Sequence, residues 1–184
     1  MKATGIVRRI DDLGRIVIPK EIRKTLRIRE GDPLEIYTDA DGVIILKKYS
    51  PIGELGDFAK EYAESLSKTS GHVTCITDKN SIIAVSGASK KEYLEKPLSE
   101  QLEKIMQNKT KILTKAPNDK SVSILANESP DKNYSSQVIS PIIAEGDVIG
   151  SVIMFSVEPG VKMGEVEVKL TDSASGFLGR QMEQ

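Results

Sequence analysis

Residues 4–49 read TGIVRRIDDLGRIVIPKEIRKTLRIREGDPLEIYTDADGVIILKKY, and this stretch holds four short β-branched runs around one basic segment. Residues 4–10 and 15–18 predict two strands joined by the turn DDLG. Pro19 predicts a helix over KEIRKTL, because its fixed φ and missing N–H suit a helix start. LEIYT at 34–38 and VIILKK at 43–48 predict a hairpin around DADG. The expected order is strand, strand, short helix, strand, strand.

This leading module is small and basic. Residues 1–29 contain nine Lys and Arg against three Asp and Glu, whereas the whole chain has a net charge of −1. A local basic excess indicates either a nucleic-acid contact or an ordinary solvated face, and charge alone does not separate the two. A piece of about fifty residues buries only about 60% of its unfolded surface, and its short strands would leave open edges. We therefore expect two chains to dimerise by sharing strands.

Residues 51–184 predict a second, larger domain. The pattern indicates a helix over 52–69, strands at 73–77 and 82–85, a helix over 99–108, a hairpin ending near 156 and a terminal helix over 164–183. Ile52, Leu55, Phe58, Tyr62 and Leu66 form the apolar stripe of the first helix, and Val166, Leu170, Phe177 and Leu178 that of the last. These stripes suit either the domain's own core or contact between subunits. We expect an α+β chain with domains at 1–50 and 56–184 and a linker at 51–55.

Composition argues against several function classes. Cys75 is the only cysteine and His72 the only histidine, so a thiolate cluster or a His-rich metal site is not expected. No pair of carboxylates stands in a recognisable acid/base frame, and we expect neither an enzyme nor a bound cofactor. The chain has no signal peptide and no membrane-length apolar run, which predicts a cytoplasmic protein. Aromatic residues are 4% of the chain without Trp, which disfavours stacking platforms for single strands.

Residues 2–50 closely resemble the AbrB-type swapped-hairpin DNA-binding domain. The resemblance rests on the block GRIVIP (14–19), the short basic helix, the LEIY strand and the return strand ending in LKKY. The family includes transition-state regulators of spore-forming bacteria and antitoxins of the MazE type. It implies that two chains interleave their hairpins into one barrel-like dimer.

SPIIAEGDVIGSVIMFS (140–156) resembles the central strand pair of GAF domains. The whole chain is similar to sporulation regulators in which a swapped-hairpin module precedes a GAF-like domain. The resemblance implies a nucleoid-associated transcription regulator of sporulation, activating, repressing or both. It implies AT-rich double-stranded promoter DNA as partner, a homotetramer built from dimers, and a small-molecule effector of unknown identity in the GAF-like domain.

Four side chains match the family's DNA-contact positions: Arg8, Arg15, Arg23 and Lys24. A guanidinium binds phosphate or a guanine edge through two parallel hydrogen bonds, and a dimer presents each group twice. The family usually has Arg at the position of Lys24, so we expect phosphate contact there rather than base reading. Four more residues are expected to add charge nearby: Arg9, Lys20, Arg27 and Arg29.

Two other functions compete with a sporulation regulator. An antitoxin would use its C-terminal part to neutralise a toxin, but such tails are short and extended whereas residues 56–184 predict a folded domain. A sulfoxide reductase on a GAF scaffold would need a cysteine pair for its redox cycle, and the chain has one cysteine. We therefore expect a DNA-binding regulator.

Overall fold

The computed structural model describes residues 4–115, 119–129 and 132–183. The chain divides into two compact units, Met1–Tyr49 and Ser50–Gln184. Pro51–Glu54, which the sequence suggests as linker, forms a short helix with the buried Ile52. Among the described residues no helix is long and apolar enough to cross a lipid bilayer.

The first unit contains one helix and one hairpin. Helix α1 spans Lys20–Thr25 directly after Pro19, and strands β1 (Leu34–Thr38) and β2 (Ile44–Lys48) pair antiparallel. A hydrogen bond from Tyr49 N to Pro33 O, 3.0 Å long, extends the pairing beyond the strands. The predicted helix and second hairpin are thus confirmed.

The two leading strands predicted at 4–10 and 15–18 are absent from this single chain. Neither segment pairs as a strand, and backbone hydrogen bonds close the turn between them. Their apolar side chains face solvent, with Val7 86% and Val17 71% exposed. A strand satisfies its N–H and C=O groups only against a neighbour, and one chain supplies none here. One chain therefore does not close the expected barrel.

The second unit is a five-stranded antiparallel sheet with helices on both faces. Helices α2 (Pro51–Glu54) and α3 (Gly56–Ser70) precede strands β3 (Val73–Asp78) and β4 (Ile82–Ser86). Helices α4 (Lys90–Tyr93) and α5 (Glu100–Gln107) and strand β5 (Ile112–Lys115) follow. Strands β6 (Ser136–Ala144) and β7 (Asp147–Ser156) and helix α6 (Glu165–Gln181) complete the unit. The strand order is β4-β3-β7-β6-β5, which confirms an α+β fold.

Helices α3 and α6 cover one face of the sheet through small side chains. Ala59 and Ala63 of α3 and Ala174 of α6 are fully buried there. Phe58 and Phe177, which the sequence analysis assigns to the apolar stripes, are 39% and 36% exposed. Part of each predicted stripe therefore lies outside the core, because the helices lie too close to the sheet for rings to fit beneath them.

Two glycines mark the closest approaches in the second unit. A Cβ added at Gly179 of α6 would lie 2.1 Å from Ile143 O of β6. A Cβ added at Gly150 of β7 would lie 1.9 Å from Thr77 O of β3. Real Cβ atoms do not approach backbone oxygen so closely, so both positions require a residue without a side chain.

Aromatic rings fill the opposite face of the sheet. Phe155 of β7 packs against Tyr93 and Tyr134 with ring centroids 5.5 and 4.9 Å apart. Cys75 of β3 is buried in the same cluster, as the alternation of its strand predicts. Burial raises the pKa of the Cys75 thiol, which disfavours the reactive thiolate.

Candidate nucleic-acid interface

The basic residues singled out in the sequence all lie on the first unit, and most are exposed. Arg8 and Arg9 precede the leading turn and Arg15 ends it, so the turn brings the two sides of the segment back together. Arg23 and Lys24 occupy the last turn of α1. Seven of the eight are exposed and one, Arg27, is half-buried: Arg8, Arg9, Arg15, Lys20, Arg23, Lys24, Arg27 and Arg29.

The leading turn forms within one chain, although its flanking strands do not. Asp11 N donates to Arg15 O and Gly14 N donates to Asp11 O, each at 3.0 Å. Gly14 has φ +74°, the left-handed conformation that glycine adopts without a steric cost. This is a type I turn followed by a left-handed residue, a common hairpin connection. The turn is therefore pre-formed for pairing of residues 4–10 with 15–18.

The Asp11 carboxylate organises this turn and also contacts Arg15. Its Oδ1 accepts from Leu13 N at 3.0 Å and from Arg15 N at 2.7 Å, and its Oδ2 accepts from Arg15 Nε at 2.8 Å. These hydrogen bonds, those from Arg15 first, lower the pKa of the Asp11 carboxyl. The Arg15 side chain is still 69% exposed. Sequence reasoning took DDLG only as a turn, yet an Asp four residues before an Arg was the available signal.

Helix α1 ends in a tight cap that fixes Arg27. Ile28 N donates to Arg23 O at 2.7 Å and Arg27 N to Lys24 O at 3.2 Å, the pair of bonds of a Schellman motif. Arg27 takes φ +52°, where glycine is usual, and Lys48 Nζ donates to its carbonyl oxygen. These contacts give Arg27 a structural task at the helix end. The side chains of Arg23 and Lys24 remain outside this cap.

Apolar side chains are interleaved with the basic ones across the first unit. Leu13 is 69% exposed and Ile36 is 66% exposed. Exposed apolar side chains that cluster in this way are typical of a protein–protein contact surface. Further exposed apolar residues are Ile6, Val7, Ile10, Ile16, Val17, Leu26, Ile44, Ile45 and Leu46. Such a surface on so small a unit is unfavourable in water, so the unit is incomplete as a single chain.

The second unit has an aromatic cluster at the rim of its helical face. The rings of Phe58, Tyr62 and Phe177 lie 5.8–5.9 Å apart and connect α3 to α6. Phe58 and Phe177 are partly exposed, and Val166 of α6 is 65% exposed. This aromatic cluster is a second apolar surface, separate from that of the first unit in the sequence.

The second unit also has a polar cavity of about 610 Å³. In this cavity the Glu128 carboxylate accepts hydrogen bonds from Ser123 Oγ at 2.7 Å and from the Tyr134 hydroxyl. Lys132 donates to Glu92 Oε1 and to Tyr93 Oη, each at 2.5 Å. The residues that line the cavity include Gln101, Lys120, Ser121, Ser129 and Asn133. In the part of the chain that the structure describes, no group of three His, Cys, Asp or Glu side chains suits a metal ion.

Two family models match the chain in succession. Residues 7–54 match "Antidote-toxin recognition MazE, bacterial antitoxin". Residues 54–183 match "Stage V sporulation protein T C-terminal, transcription factor". Because the larger match is to a transcription-factor domain, the antitoxin interpretation is not favoured.

Relatives and solved structures agree with this division. The chain is 59% identical to stage V sporulation protein T of Bacillus subtilis over the full length of both proteins. It is 67% identical to transition state regulatory protein AbrB of B. subtilis over 51 residues, which are 28% of this chain and 52% of that protein.

A GAF domain from an Acinetobacter phosphoenolpyruvate-protein phosphotransferase superposes with a TM-score of 0.58. That alignment covers 72% of this chain and 87% of the other at 13% identity, which supports the fold alone. The second unit therefore has a GAF-like fold, and an AbrB-like domain precedes it. With full-length similarity and a family match over most of its residues, the chain belongs to the stage V sporulation protein T family and is a transcription regulator of sporulation.

Proposed function

We propose that two copies of the first unit bind AT-rich double-stranded promoter DNA through one basic face. The observation that carries this proposal is the exposed guanidinium of Arg15, held at the end of a pre-formed turn. The likeness to AbrB supports it, because the resemblance implies DNA contacts at the four principal basic positions. Binding without a tight consensus would read the shape and deformability of the duplex.

The dimer follows from the incomplete first unit. Residues 4–18 lack strand partners in one chain and carry exposed Val7, Leu13 and Val17. A second chain that offers the same segment would pair the open backbone and cover the apolar side chains. We therefore propose interleaved hairpins that close the barrel between two subunits and present every basic residue twice.

The basic residues have different parts in this proposal. Arg8, Arg15 and Arg23 offer planar forks suited to phosphate or guanine. Lys24 offers a point charge suited to phosphate. Four further residues add positive potential nearby: Arg9, Lys20, Arg27 and Arg29.

The second unit is proposed to associate and to regulate. Phe58, Tyr62 and Phe177 supply an apolar surface through which two dimers would form a homotetramer. The polar cavity near Glu128 and Lys132 supplies space for a small-molecule effector. In functional terms we assign residues 1–50 to DNA binding, 51–55 to a connection and 56–184 to sensing and oligomerisation.

We further propose that this regulator acts without catalysis in the cytoplasm, at the nucleoid. The buried Cys75, with its raised pKa, offers no accessible thiolate. The family membership supports a regulatory rather than a catalytic role. Binding to promoter DNA would place the protein at the nucleoid.

The proposed function is tested by titrating duplex DNA with the full chain and with Arg15→Ala at two salt concentrations. Each phosphate contact contributes about 0.9 to the slope of log affinity against log salt, so loss of one from each subunit would lower the slope by about 2. The control variant Lys79→Ala removes the same charge from an exposed turn of the second unit. Equal affinity and slope for Arg15→Ala and the unmodified chain would reject the basic face.

A further inference from the structure

Asp11 is an acidic residue in the most basic part of the chain. A carboxylate at this position repels DNA phosphate, so its presence in a DNA-binding face calls for a second role. Its three hydrogen bonds all go to N–H groups within the next four residues, and two of these N–H groups belong to Arg15. In the described part of the chain the side chain of Asp12, the next residue, accepts no hydrogen bond. The two neighbouring acids therefore differ in what they contact.

The contact to Arg15 uses only one edge of its guanidinium. Asp11 Oδ2 accepts from Nε at 2.8 Å, and within the described residues this is the side chain's only hydrogen bond. The two Nη groups, which form the fork that binds a phosphate or a guanine edge, are left available. Arg side chains have many rotamers, and fixing Nε removes much of that freedom before DNA arrives.

We infer that Asp11 is a positioning residue that orients the Arg15 fork toward DNA. The inference rests on the proposed DNA contact of Arg15. Asp11 itself need not touch DNA. The Asp11 carboxylate sets the direction of the Arg15 guanidinium relative to the turn. The turn conformation itself depends on the left-handed backbone of Gly14.

Two simpler accounts of Asp11 make different predictions. If Asp11 only forms the turn, Asp11→Asn is silent, because an amide oxygen still accepts from Leu13 N and Arg15 N. If Asp11 only adds negative charge, Asp11→Asn and Asp12→Asn strengthen DNA binding equally. A positioning role predicts opposite effects of the two substitutions, although both remove one negative charge from adjacent positions.

The test is a double-mutant cycle measured on the full chain. Fluorescence anisotropy with an AT-rich duplex and a GC-rich duplex of equal length gives affinity and selectivity for Asp11→Asn, Arg15→Ala, the double variant and Asp12→Asn. We expect Asp12→Asn to tighten binding about twofold and Asp11→Asn to weaken it about fivefold, the effect of losing one exposed ion pair in each subunit. We expect the ratio of the affinities for the AT-rich and the GC-rich duplex to move toward one in Asp11→Asn. With Arg15→Ala present, Asp11→Asn should no longer weaken binding.

Three outcomes overturn the inference: tighter binding by Asp11→Asn, no effect, or equal weakening with and without Arg15. Thermal melting followed by circular dichroism checks the fold of each variant. If Asp11→Asn is unstable, the exchange rate of the Arg15 Nε–H in the unmodified chain decides instead, and fast exchange there contradicts the contact. If Arg15→Ala binds as tightly as the unmodified chain, the proposed function itself has failed, which distinguishes the two cases.

Discussion

Replacing Gly179 by alanine is expected to destabilise the second unit by about 2–4 kcal/mol, after allowing for the roughly 1 kcal/mol by which alanine is favoured over glycine in a helix. The new Cβ would lie 2.1 Å from Ile143 O, whereas ordinary contact begins at 3.4 Å, so α6 must retreat by about 1.3 Å. Overpacking of this kind costs about 1–3 kcal/mol. The shift also disrupts the two hydrogen-bond contacts that join Ser140 Oγ to Thr171 Oγ1 and Asp172 Oδ1, each worth about 1 kcal/mol.

The assay is thermal unfolding followed by far-UV circular dichroism, because α6 contributes to that signal. For a chain of this size each kcal/mol shifts Tm by about 2–4 °C, so Gly179→Ala should melt roughly 10 °C lower. Gly176→Ala is the matched control: it lies in the same helix with nothing within 4 Å of its added Cβ. Alanine is favoured over glycine in a helix by about 1 kcal/mol, so this control should melt a few degrees higher. Equal Tm values for the two variants would refute the close approach of α6 to β6.

Three further predictions concern the thiol, the aromatic cluster and the turn. Cys75 should react with a thiol reagent only after denaturation, because its side chain is fully buried and its pKa is raised; prompt labelling of the native chain would contradict that burial. Phe58→Asp combined with Phe177→Asp should leave the circular dichroism spectrum unchanged and reduce the sedimentation mass to a dimer; an unchanged mass would exclude the aromatic cluster as the tetramer contact. The Asp11 carboxyl should titrate below its ordinary pKa of 3.8, as followed by NMR, and return toward that value in Arg15→Ala. Since its folded pKa is lowered, its support of the turn is present above the ordinary value and is lost as the pH falls through the lowered pKa.

Local signals in the sequence were sufficient for much of the fold. Pro19 predicted the start of α1, and the turn over 39–42 predicted the hairpin that the structure contains. Ser99 predicted the cap of α5, where its side chain accepts from Leu102 N. Each of these features depends on residues a few positions apart, so a single sequence carries enough information for them.

The buried faces of α3 and α6 could not be assigned by hydrophobicity alone. Large side chains such as Phe58 and Phe177 suggested the core, whereas Ala59, Ala174 and Gly179 lie against the sheet. A short distance between helix and sheet selects small residues, and that distance is a tertiary property. The rings are consequently displaced to the rim.

The unpaired state of residues 4–18 and the contacts of Asp11 were not predicted, for other reasons. Residues 4–10 and 15–18 have strand composition, but their pairing partners are not supplied within one chain. Asp11 was recognised only as part of a turn, because the sequence does not reveal which neighbouring N–H groups a carboxylate will accept from. Arg15 was singled out from the sequence, whereas the hydrogen bond from its Nε to Asp11 Oδ2 is a property of the folded turn.

The unpaired state of residues 4–18 has a consequence for promoter output. If the competent species contains two chains, its amount at low abundance rises with the square of the number of chains synthesised. A doubling of expression would then give nearly a fourfold increase in occupied operators before saturation. Pairing of the leading segment between two chains would thus make the response steeper than proportional, even when no effector is present.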